Sequence, residues 1–125
     1  MQQFAFSERF ERQDIPAQDF GHREHVQAAY ELLQKYDFIE ATAKYAETIR
    51  SMATAAGAPE KFNVTITVAF MGLIAEKMMQ SAPDDGFGSF YSANPDLSGN
   101  ALAPWYSAER ISSDLSRKVF LMPDM

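Results

Sequence analysis

Between Phe38 and Ala56 the chain runs without a glycine or a proline, and its apolar residues recur at helical spacing. Phe38, Ala41, Tyr45, Ile49, Met52, Ala53 and Ala56 fall on one face, while Glu40, Lys44, Glu47 and Arg50 fall on the other. Gly57 supplies a left-handed stop and Pro59 prevents continuation, so one uninterrupted helix over 38–56 is predicted. Such a stripe must be buried against other elements, and the flanking sequence provides them.

Upstream, Val26, Ala29, Tyr30, Leu32, Leu33 and Tyr36 form a second helical stripe over His22–Tyr36, with Glu24, Gln27, Glu31, Gln34 and Lys35 opposite. Asp19 is a candidate cap, and the short link at Asp37 predicts that the two helices are antiparallel neighbours. Downstream, 63–80 opens with the alternating run Val64-Thr65-Ile66-Thr67-Val68, which suits a strand. Its length and the capping Asn63 favour a helix, apolar nearly all round and therefore central, with Thr65, Ala69 and Gly72 as a small-residue face. Pro16 limits the N-terminal segment to a short helical turn. Residues 81–104 hold Pro83, Pro95, Pro104, Gly86, Gly88 and Gly99, and read as a loop with one short helix near Phe87–Ser92. Ser107 and Ser113 are caps, the second for a short helix around Asp114–Leu121 stopped by Pro123.

These elements predict an all-α fold: one domain over 1–125, a helical bundle with three main antiparallel helices and short C-terminal helices closing one end. With 125 residues, 46% of them hydrophobic, the chain has ample material for a core. The absence of cysteine excludes disulfides, thiolate metal sites and a cysteine nucleophile, and fits a reducing, cytoplasmic compartment. Met1–Phe6 shows no basic region followed by an apolar run, so no secretory signal is expected. The most apolar stretch, 62–75, is too short to span a membrane. Net charge is −6 and the basic residues are scattered, so neither a membrane nor a nucleic acid is an expected partner.

The chemistry-bearing residues are few. His22 and His25, the only histidines, lie three apart, which sets both rings on one helix surface and inside the apolar stripe. Three readings stand: a metal or acid–base site, a polar ligand pocket, or core imidazoles bonded to backbone or hydroxyls. The spacing is not that of the protease motif H-E-x-x-H. Asn63 and Thr67 share a face of the third long helix with Ile66, Phe70 and Ile74, and their polar atoms need partners that the imidazoles could provide. Equally, Asn63 serves as a cap and Thr67 bonds back to its own helix. Asp84-Asp85-Gly86 lacks the later oxygen ligands of a calcium loop, and no phosphate loop or dinucleotide fingerprint is present. The methionines, including Met71, Met78 and Met79, read as adaptable core.

Phe20-Gly21-His22-Arg23-Glu24-His25-Val26, then Gly57 through Thr67, then Trp105-Tyr106-Ser107, Arg110-Ile111, Ser113 and Pro123-Asp124, resemble a family of small uncharacterised bacterial helical proteins. The family pattern is F-x-H-R-x-H followed by K-[YF]-H-E-T-x-T. The first motif is intact in Phe20, His22, Arg23 and His25; in the second, Asn63 stands where histidine is usual and Val64 where glutamate is usual. The resemblance implies a shared site, with one imidazole fewer than a three-histidine metal centre would need. No metal or other cofactor is therefore expected. The candidate ligand-binding residues are His22, Arg23, His25, Asn63, Thr65 and Thr67, with no catalytic residue assigned. The leading expectation is a small-molecule-binding or regulatory domain. An enzyme with a histidine as general base, and a structural or protein-interaction domain, are the alternatives, and a homodimer is left open.

Overall fold

The computed structural model describes residues 4–81 and 86–125. The expectations for the first three residues and for Asp84 and Asp85 concern residues outside that set. Among the described residues there are helices and no strands: α1 (Ala5–Glu11), α2 (His22–Lys35), α3 (Phe38–Ala55), α4 (Val64–Gln80), α5 (Gly86–Ala93), α6 (Ala108–Ile111) and α7 (Asp114–Lys118), with short 3-10 turns at Ala17–Asp19 and Pro59–Lys61. No helix of the described residues is long and apolar enough to cross a membrane.

Local chemistry sets most of the boundaries. Asp37 caps α3 by accepting the Glu40 N–H at 2.8 Å, and Ser107 and Ser113 cap α6 and α7 in the same way. Gly57, at φ +76°, ends α3: its N–H donates to Thr54 and the next residue's N–H reaches back to Ala53. At the start of α2 the cap is not Asp19, which lies in the preceding 3-10 turn. Gly21 is the cap residue, and the Glu24 carboxylate accepts its N–H at 2.9 Å.

The longest helices are α2, α3 and α4, but the core is not theirs alone. Phe10 of α1 is fully buried and stacks on Phe20 at 5.6 Å and on Tyr45 of α3 at 5.7 Å. Phe90 of α5 is buried against Tyr30 of α2. Glu31, on the polar side of the α2 wheel, is buried because α1 covers it. Its carboxylate accepts the Ser7 N–H at 2.8 Å and the Gln27 amide at 3.1 Å, and so caps the first turn of α1 from another helix.

Helix α4 is less enclosed than its composition suggests. Ile66 and Met79 are exposed, and a methyl group added at Gly72 would meet nothing within 4 Å. Its first turn is instead held by the C-terminal segment. The fully buried Thr65 hydroxyl donates to the Val119 carbonyl at 2.8 Å and accepts the Leu121 N–H at 3.0 Å. Asn63 donates to the Ile111 carbonyl, caps α4 through the Ile66 N–H and accepts the Ser116 hydroxyl. Thr65→Val keeps the side-chain shape and leaves both partners of the hydroxyl unmatched. The expected loss is about 2 kcal/mol, with faster hydrogen exchange at the Leu121 amide. Unaltered urea midpoint and unaltered exchange at Leu121 are the results that contradict this account.

Candidate functional site

A half-open cavity of about 440 Å³ lies between one end of α2, the middle of α3, the start of α4 and the irregular segment that follows α5. His22 and His25 line it from α2, Tyr45 and Ile49 from α3, and Asn63, Ile66, Thr67 and Phe70 from α4. Phe62, Ser98 to Ala103, Tyr106, Ala108 and Ile111 form the rest of the wall, and Lys61 also lines the cavity and is exposed. Its volume is within the range of small-molecule pockets, and its lining has their character, mostly apolar with a few polar groups.

His25 is partly buried, with its ring tilted on Phe20 at a centroid distance of 4.4 Å. Its Nδ1 lies 3.2 Å from the Tyr45 hydroxyl. Tyr45 is buried, and burial raises its pKa well above the usual phenol value, so it keeps its proton. With that proton donated to Nδ1, the neutral imidazole carries its own on Nε2. Burial, reinforced by the neighbouring His22 and opposed by Glu24, pushes the His25 pKa down to about 4. The ring is thus uncharged at neutral pH.

His22 departs from the inward placement that the helical wheel predicts. It is the first residue of α2, exposed, and its Nε2 donates to the Leu97 carbonyl. A carbonyl only accepts, so this bond fixes a proton on Nε2 whatever the charge of the ring. The bond links α2 to the segment that forms the far wall of the cavity, and the ring faces Phe70 at 5.9 Å.

Four of the six candidate residues, His22, His25, Asn63 and Thr67, line the one cavity. They do not form a shared hydrogen-bond network. The imidazoles use Tyr45 and Leu97, Asn63 binds the C-terminal segment, and the Thr67 hydroxyl donates to the Asn63 carbonyl of its own helix at 2.7 Å. Thr65 lies outside the cavity and serves the C-terminal segment. Arg23 also lies outside: its guanidinium covers the rings of Phe87 at 4.9 Å and Tyr91 at 5.6 Å, against α5. Among the described residues no three His, Asp or Glu side chains converge as a metal site would require.

Sequence reasoning passed over Tyr45, which it counted as part of an apolar face. A signal was there to use: a tyrosine on a core stripe must find a partner for its hydroxyl, and two histidines stood on the adjacent helix. The wall at 98–103 carried no comparable signal. Compared with protein-family models, with curated proteins and with solved structures, the chain finds no match in any of the three.

Proposed function

We propose that the chain is a small-molecule-binding helical domain whose ligand occupies the cavity beside His22 and His25. The observation that carries this reading is the cavity itself. Core imidazoles with a purely structural role would be closely packed, whereas these two border about 440 Å³ of open space. The three long helices are the frame in this reading, and the segment after α5 is the wall. Kinship with the bacterial proteins that the motifs resemble belongs to the same proposal. Its support is that residues from both motifs, His22 and His25 from the first and Asn63 and Thr67 from the second, border one space.

A second reading, an enzyme with His25 as general base, draws on the uncharged state of that imidazole at neutral pH. It needs the other tautomer, in which Nδ1–H donates to the Tyr45 hydroxyl and the Nε2 lone pair is left for a substrate proton.

The binding reading is tested with a fragment library screened by thermal shift, the hits being mapped by amide chemical shifts. Hits are expected to move the amides of Asn63, Thr67 and Ser98–Ala103. Ala103→Trp places a large ring on an exposed position of the cavity wall, and is expected to weaken these hits at least tenfold, roughly, by filling the space they need. Hits that map elsewhere, or that bind the variant equally well, would leave the histidines as packing residues only.

A further inference from the structure

We infer that the cavity selects a monocarboxylate: a ligand with an apolar body among Phe62, Ile66, Phe70 and Leu102 and a single carboxylate at Lys61. This rests on the binding reading above and gives it a chemical class.

Charge makes the first argument. The chain has 17 acidic residues against 11 basic ones, yet among the described residues no aspartate or glutamate lines the cavity, and Lys61 is the one lysine or arginine that does. A cationic ligand would meet an ammonium and no counter-charge. A carboxylate would meet an exposed donor cation on the cavity lining, and such a charge-assisted hydrogen bond is stronger than one between neutral groups.

The availability of that ammonium makes the second. Lys35 and Lys44 reach Glu11, and Lys77 holds Asp96 at 2.7 Å. Among the described residues Lys61 has no such carboxylate, so a ligand has no internal ion pair to displace there. The start of α4 adds to the same field. Asn63, Ile66 and Thr67 of its first turns line the cavity, and the N-terminal end of a helix this long carries partial positive charge.

The valence of the head group follows from the same residues. One ammonium and one helix end balance a single negative charge, and among the described residues the lining contains no arginine fork of the kind that holds a phosphate bidentately. The body is set by the walls, whose surface is mostly apolar and includes the rings of Phe62 and Phe70 and the branched chains of Ile66 and Leu102.

Three compounds with one body and different head groups separate the possibilities: 4-phenylbutyrate, 4-phenylbutan-1-ol and 4-phenylbutylamine. Each is titrated into the full chain and followed by amide chemical shifts of the lining residues. The carboxylate is expected to bind about fivefold tighter than the alcohol, the scale of one partly exposed ion pair, and the amine more weakly than either. Lys61→Met is expected to abolish the difference between carboxylate and alcohol, and added salt to reduce it. If the alcohol or the amine matches the carboxylate at the lining amides, the head-group assignment falls while the cavity reading stands. A carboxylate preference that survives in Lys61→Met removes Lys61 from the account. If none of the three moves the lining amides, the monocarboxylate assignment falls, and the fragment screen alone decides the binding reading.

Discussion

Phe10→Ala is expected to destabilise the chain by about 3–5 kcal/mol, the range for truncating a fully buried aromatic ring. The ring sits where three elements meet, stacked on Phe20 in the segment before α2 and on Tyr45 of α3. Its loss forfeits the transfer of the ring from water, two aromatic contacts and the packing that seats α1 on α2 and α3. Because a domain of this size has about 5–15 kcal/mol in hand, the variant should retain only part of its stability. It should also unfold at a clearly lower urea concentration, with the slope of the transition unchanged. The site should register the change as well, since Phe20 and Tyr45 are the two neighbours that hold His25. An unchanged midpoint is incompatible with Phe10 as a core residue.

The second large effect is a pH dependence carried by His25. Its folded pKa is about 4, against 6.5 for the unperturbed imidazole. The unfolded chain therefore takes up a proton at His25 at a pH where the folded chain does not. Above about pH 7.5 the ring is neutral in both states and contributes no slope. As pH falls from 6.5 towards 4, the unfolded state gains protonation free energy, and stability falls by up to about 3 kcal/mol. Carboxylates titrate in the lower part of this window, so the informative quantity is the difference between the wild type and His25→Gln. That difference should change steadily between pH 6.5 and 4 and flatten above about pH 7.5, as measured by urea unfolding at stepped pH. Parallel curves for the two proteins would mean that the folded chain accepts the proton as easily as the unfolded one.

The helices were legible because their causes are local. Apolar spacing, the Asn63, Ser107 and Ser113 caps, and the Gly57–Pro59 stop act within a few residues of the boundaries they set, while Asp37, read only as a link, also caps α3. The strand-like run Val64–Val68 was decided for helix by length, and α4 begins there. What escaped depends on which element covers which. Glu31 belongs to a polar face by its wheel position, and only the docking of α1 makes it a buried cap. The wheel set His22 inward, but as the first residue of α2 it has no preceding turn to cover it and it reaches Leu97 instead. Bringing His22, His25, Asn63 and Thr67 to one cavity required only helix faces and neighbours, both readable from periodicity. Their actual hydrogen-bond partners lie on loops and on the C-terminal segment, whose course leaves no periodic trace.

The attachment of the C-terminal segment to α4 has a consequence for the order of events on the ribosome. Thr65 and its partner Val119 are 54 positions apart, and Asn63 and Ile111 are 48 apart. At translation speeds of about 5–20 residues per second, Thr65 is made roughly 3–10 s before the carbonyl it must meet. During that interval α1, α2 and α3 can emerge and pack, while the first turn of α4 waits with its hydroxyl and amide served by water. Tyr106 and Ile111, which complete the cavity wall, arrive in the same late stretch. The nascent chain thus acquires its first three helices early and the cavity beside His22 and His25 last.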